Sequence, residues 1–250
     1  VRRILREAGP PALFVGALLA LWELWAGRST SRNPVVPAPS RIWRAFLDTA
    51  HLLPAHLRTT LTETALGVAA GVTAGVVVAV VVATWPVVRR VLQPVLIVSQ
   101  TVPVQVLAPL LVLWAGFGMA PKIIVVALVV FFPVAVATAA GIADVDTELV
   151  DLVRSFGAGR RFVLRAVLLP SALPGLFAGL RISLTYAVAA AVIGEGIGAT
   201  SGLGLYLARS QRGFRYDQVF VGVAVVALLS MALYSLVSLV ARLVCPWRPR

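Results

Sequence analysis

The stretch DLVRSFGAGRRFVLRAVLLPSALPG, residues 151–175, decides how this chain is read. Four arginines, Arg154, Arg160, Arg161 and Arg165, fall within a dozen residues, around a lone Gly157, and the run closes on Leu169-Pro170. Just upstream, Asp146 can cap a helix start and Glu148 complements the positive end of its dipole. Leu149, Leu152, Val153 and Phe156 recur at helical spacing and form one apolar stripe. Asp151, Arg154 and Ser155 lie off that stripe. Gly157 is placed to end the helix as a left-handed cap. A second short helical piece, RRFVLRAVLL, is expected to stop before Pro170. Two short amphipathic helices joined at a glycine suit either a groove on a partner protein or the headgroups of the adjoining leaflet.

The surroundings of this stretch are apolar. Of 250 residues, 60% are hydrophobic and only 13% charged, and the mean hydropathy is +0.95. Soluble domains carry about 25% charged residues, so the chain is read as an all-α integral membrane protein. The runs do not alternate as barrel strands do. The net charge of +12 falls mostly between the apolar runs, where it sets topology and meets anionic headgroups; no nucleic-acid partner is expected. Cys245 is the only cysteine, so no intrachain disulfide can form. His51 and His56 share a polar connector, and their spacing is too loose for a metal site without other ligands.

About six spans of roughly 20 residues are expected, near 11–27, 61–84, 95–116, 121–142, 173–194 and 219–243. The N-terminal VRRILREAGPPALFVGALLALWELWAG has a basic start but no A-x-A cleavage site, and is read as the first span. In the connector 28–60, Ile42, Phe46 and Leu47 share a face with Trp43 beside them, which predicts a helix on the membrane surface. With the N-terminus inside, twelve basic residues fall on the cytoplasmic side and nine outside, Lys122 among the nine. The basic N- and C-termini then both face the cytoplasm.

The third span carries Pro103 and Pro109 beside Gln100 and Gln105. Freed carbonyls and amide side chains at membrane depth need a cavity or a packed neighbour, so this span either lines a pathway with hinges or packs tightly. Arg181 lies in the fifth span, toward its inner end, where it can snorkel. Glu195 opens the glycine-rich GEGIGATSGLG, either a turn or re-entrant piece on the outer face or a lining of the outer mouth. Trp114 and Tyr186 are further candidates for contact with a solute.

The basic stretch resembles the EAA loop of ABC importer permeases, E-A-A-x3-G-x9-I-x-L-P. Asp151, Leu152 and Val153 stand where E-A-A would be, Gly157 matches the glycine, Val167 the isoleucine, and Leu169-Pro170 the terminal pair. Asp for Glu and Leu-Val for Ala-Ala depart from the pattern. From about Pro37 onward the chain is similar to the nitrate/sulfonate/taurine-type permeases, through VVPAPSRIW, SQTVPVQVLAPLLVLWAGFG, LLPSALPGLFAGLRISL and IGEGIGATSGLGLYL. Within that group, QTVPVQVLAPLLVLWAGFGMAPK, FFPVAV, YAVAAAVIGE and ARSQRGFRYDQVF look most like permeases for thiamine pyrimidine precursors.

The resemblance implies a type I importer permease fold as a single domain over 1–250, with a core of about 57–245 and a cytoplasmic coupling loop at 143–171. It implies a bacterial inner-membrane location, an ABC ATPase partner using ATP-Mg, a substrate-binding protein outside and a second permease chain, as a homodimer. Asp151, Arg154, Ser155, Phe156, Gly157, Arg160, Arg161, Leu169 and Pro170 become the ATPase-coupling residues. Gln100, Pro103, Gln105, Trp114, Tyr186 and Glu195 become the candidate pathway. The chain has no G-x-x-x-x-G-K-[ST] loop, so it has no P-loop for ATP and no cofactor of its own is expected. A secondary transporter would need intramembrane acids and usually repeats, and Glu195 is the main acid available. An intramembrane hydrolase would need a nucleophile–base pair at membrane depth, and both histidines lie outside the expected spans. The substrate alternatives are sulfonate, nitrate or riboflavin-like compounds.

Overall fold

The computed structural model describes residues 2–27, 35–99 and 101–246. They form α1 (Arg2–Gly27), α2 (Pro39–Thr49), α3 (Leu53–Thr84), α4 (Pro86–Ser99), α5 (Val104–Ala115), α6 (Ala120–Ala143), α7 (Thr147–Ser155), α8 (Arg160–Val163), α9 (Leu169–Glu195), α10 (Leu203–Arg212) and α11 (Tyr216–Val244). No strand occurs among the described residues. Four helical rods are long and apolar enough to cross a bilayer: α3, α6, α11 and the continuous segment Arg160–Glu195. The apolar parts of α1 and α5 are shorter.

The third expected span is therefore not one helix. Pro86 starts α4 after the extended Trp85. Pro103, at φ −65° and ψ 119°, sits just ahead of α5. The pyrrolidine ring denies the helix an N–H and pushes the preceding residue out of helical geometry, so the chain breaks between Ser99 and Val104.

The fifth span shows the opposite departure. RRFVLRAVLL does not stop before Pro170. It passes through a π turn, Leu164–Leu168, directly into α9. The wider i→i+5 spacing of a π turn admits Pro170 in the first turn of α9, where its missing N–H is no loss.

The core is a slab of α3, α6 and α9. Gly67, Gly71 and Gly75 form a stripe on α3 against Val126, Val130 and Val134 of α6. On α9, Gly175 and Gly179 lie on the Ala137 and Pro133 carbonyls of α6. Small residues let membrane helices approach backbone to backbone, where dispersion replaces the absent hydrophobic drive. A Cβ at Gly71 would stand 2.6 Å from the Ala127 carbonyl oxygen and 2.8 Å from Val130 Cβ. Gly71→Leu is accordingly expected to separate α3 from α6 and cost about 1–3 kcal/mol. Thermal unfolding in detergent checks this, and a variant as stable as the parent would rule out the tight approach.

The first connector also differs from expectation. Ile42 and Phe46 pack inward with Leu203 and Val221, while Trp43 and Leu47 face outward. The expected single membrane-facing stripe splits into two. The α2 helix rests on α11 rather than on lipid alone, and Glu23 of α1 accepts hydrogen bonds from the Ser40 amide (2.9 Å) and hydroxyl (2.7 Å) at its start.

Candidate functional site

The segment α7–α8 projects from the slab. Asp146 caps α7 by accepting from the Glu148 amide at 2.9 Å. At the other end Gly157 has φ +87°. Its amide donates to the Arg154 carbonyl at 2.9 Å and that of Ala158 to the Val153 carbonyl at 3.4 Å. Those two bonds are a Schellman cap, which requires a left-handed residue between them. Nothing lies within 4 Å of a Cβ built on Gly157, so only backbone strain selects the glycine there.

No residue of α7 is buried. Leu149 and Leu152 are exposed and Phe156 is 83% exposed, so the apolar stripe is uncovered. Asp151 and Arg154 approach each other at 3.6 Å on its flank, and Ser155 donates to the Leu152 carbonyl. Arg160 and Arg161 are exposed, Leu169 and Pro170 half-buried. Val163 and Val167 are buried and fix the base of the projection. Such an arrangement exposes an apolar and basic knob, and behind it α8, the π turn and α9 run on as one helical segment.

Among the pathway candidates, Pro103 and Tyr186 come together. They line a cavity of about 530 Å³ between the α4–α5 break, α6 and α9, with Ser99, Leu107 and Phe132. Trp114 is 74% exposed and outside this cavity. Gln100 lies outside the described residues, and only the backbone of Gln105 is described, in α5.

Glu195 is elsewhere, fully buried. One of its oxygens accepts from the Thr60 hydroxyl (2.6 Å) and the other from the Gly204 amide (2.6 Å). Thr60 in turn accepts from the Leu203 amide at 2.9 Å, and His56 Nδ1 from the Gly202 amide at 3.1 Å. Side chains of α3 and α9 thus satisfy the orphan amides at the start of α10, with a carboxyl at the positive end of its dipole. A Cβ at Gly202, where φ is +119°, would run into the Glu195 carboxyl. GEGIGATSGLG is therefore a pinned turn, and Glu195 holds it.

Beside Glu195 lies Glu63 of α3, buried and 3.2 Å from Lys122 Nζ. Lys122, expected in an outer connector, stands in the first turn of α6 and is itself 5% exposed. With Lys122 withdrawn from the loops, the outer count of basic residues falls from nine to eight. Thr60 and Glu63 are not singled out by the sequence, and His56 only as half of a pair too loosely spaced for a metal. The available signal is a pair of acids at the edges of two apolar runs, Glu63 near the start of α3 and Glu195 at the end of α9.

Residues 49–248 match the family described as binding-protein-dependent transport system inner membrane component. The chain belongs to that family. This permease is 31% identical over 245 residues to the formylaminopyrimidine transport permease protein ThiX of Halalkalibacterium halodurans, covering 98% of each chain. It is 39% identical to the riboflavin transport system permease protein RibX of Chloroflexus aurantiacus, over 92% of this chain and 87% of that one. To the taurine transport system permease protein TauC of Escherichia coli it is 32% identical, over 94% and 89%. Among solved structures, a chain of the MetNI methionine ABC transporter in an inward-facing conformation superposes with a TM-score of 0.69 at 22% identity, covering 79% of this chain and 98% of that one. The all-α importer-permease fold implied by the EAA-like stretch is the fold observed, and the chain is a multi-pass membrane permease.

Proposed function

We propose that two copies of this permease enclose one pathway, with ATPase subunits docked on α7–α8 at the cytoplasmic face and a substrate-binding protein at the opposite face. The carrying observation is the uncovered α7 stripe with Phe156 outermost, rigidly continuous with a membrane rod. ATP-driven closure of the ATPases displaces the knob and tilts the rod between two access states. ATP-Mg stays with the partner. Both termini then lie in the cytoplasm of a bacterial inner membrane. Phe156→Asp places a charge where apolar burial is needed. It is expected to reduce co-purification of the ATPase about tenfold, as loss of an aromatic anchor does, while leaving the unfolding temperature of the isolated permease unchanged. Undiminished ATPase capture would remove this surface from the docking role.

The solute we infer is a neutral heteroaromatic, a thiamine pyrimidine precursor. The cavity at the α4–α5 break carries Tyr186, Phe132 and the Ser99 hydroxyl, and no basic side chain among its described lining. A sulfonate would draw on a cation or helix N-terminus in its path, whereas a pyrimidine ring stacks on aromatic faces. Proteoliposomes holding permease, ATPase and binding protein discriminate the two. Uptake of formylaminopyrimidine that excess taurine does not compete supports the pyrimidine, and taurine uptake alone replaces it with the sulfonate reading.

A further inference from the structure

A cavity of about 1050 Å³ lies between α9 and α11, on the side of α9 away from the α4–α5 break. Its wall holds Arg181 of α9 and Arg242 of α11, with Tyr234, Ser235 and Ser238 between them. Phe177 and Leu239 supply the apolar remainder. The two helices run antiparallel, because Phe177 in the first half of α9 clusters with Ala241 and Cys245 at the end of α11.

That antiparallel pairing sets the direction of the two arginines. Side chains on a helix lean toward its N-terminus. Arg181 leans toward the α7–α8 end of the molecule, and its Nε donates to the Phe177 carbonyl at 3.2 Å. Arg242, on the opposed helix, leans the other way. The two arginines thus line one groove from opposed helices. The sequence carries no acid between Asp151 and Glu195, and none after Asp217. Neither arginine has an acid within ion-pair distance among the described residues. The Ser238 hydroxyl, shut away from solvent, has no hydrogen-bond partner. Two cations without an acid partner line one groove, and an anion seated between them would neutralise both.

We propose that this groove binds the phosphate of an anionic phospholipid, its acyl chains lying along Phe177 and Leu239. Arginine forks match phosphate oxygens in pairs, and basic pockets between membrane helices select anionic headgroups. The open, half-apolar groove suits a ligand that enters sideways from the bilayer. It is separate from the solute cavity. Assignment to the cytoplasmic leaflet rests on the orientation proposed above; binding itself does not.

The test uses the full chain without ATPase, in symmetric nanodiscs of equimolar phosphatidylcholine and phosphatidylglycerol, with retained lipid read by native mass spectrometry. The parent is expected to retain phosphatidylglycerol preferentially. Arg181→Gln and Arg242→Gln are each expected to lower that preference about fivefold, and Arg242→Lys to lower it less. Equal retention of the two lipids by the parent, or an unchanged preference in both glutamine variants, overturns the proposal. Because Arg242 is exposed, Arg242→Gln leaves a folded chain to measure even where Arg181→Gln does not. A second arm follows thermal protection in detergent by phosphatidylglycerol or by inorganic phosphate. Protection by the lipid alone is expected, and protection by inorganic phosphate alone would make the ligand a soluble anion and overturn the lipid assignment. Since transport is not read, failure of the importer reading leaves both arms interpretable.

Discussion

Gly157→Val is expected to cut ATP-dependent uptake at least about tenfold while the permease still assembles. The left-handed conformation at φ +87° costs an ordinary L-residue about 1–2 kcal/mol and a β-branched one more. No neighbour crowds the position, so the chain escapes by abandoning the Schellman cap, and Phe156 turns away from its docking direction. ATP hydrolysis by the bound ATPase is expected to fall less than uptake, which is the signature of uncoupling. Gly157→Asn, which tolerates left-handed geometry, is expected to retain most of the transport. Uptake at the parent level by a normally assembled Gly157→Val permease would sink the idea that this cap transmits motion.

The second large effect is expected at Lys122. Replacing it with methionine leaves Glu63 buried beside Glu195 without a cation, and breaking a buried pair from one side costs about 3–5 kcal/mol. Chemical or thermal unfolding in detergent is expected to show a loss of that order, with poor recovery of the purified permease. Glu63→Gln combined with Lys122→Met removes both charges and is expected to restore most of the stability, since a neutral pair of similar volume avoids the desolvation penalty. A single Lys122→Met variant as stable as its parent would mean that the ion pair contributes nothing to the slab.

The α7–α8 knob was legible because its signals are local. A capping Asp146, a four-residue stripe and Gly157 at fixed distance from Leu169-Pro170 are properties of neighbours in sequence, and the structure shows the cap and the exposed stripe they imply. The apolar runs likewise located the membrane rods, though α3 begins at Leu53, well ahead of the expected 61, a proline broke one run and a π turn fused another. The polar network around Glu195 was not legible in the same way. Glu63, Lys122 and Glu195 come from three helices and meet only after α3, α6 and α9 have packed, so no spacing along the chain announces them. Lys122 followed a proline in a short gap between apolar runs, and nothing local separates a buried first-turn lysine from a loop one. The glycine stripe of α3 was visible at four-residue intervals, but only the facing valines of α6 give it meaning.

The continuity of α8, the π turn and α9 also gives the molecule one long uninterrupted segment. Thirty-six residues, Arg160–Glu195, run without a break, about 54 Å of helix. Gly175 and Gly179 seat them on α6, and Glu195 ties their far end to α3. Arg160 and Glu195 are thus the two ends of one unbroken helical segment, with a π turn and Pro174 within it. A tilt of about 10° carries one end of a rod that long about 9 Å sideways relative to the other. The compliance this demands sits elsewhere, at the break ahead of Pro103 and at Gly116 and Gly118, both with positive φ, on either side of α5. The chain thus sets one long continuous helical segment beside the short α5, which has a break on each side.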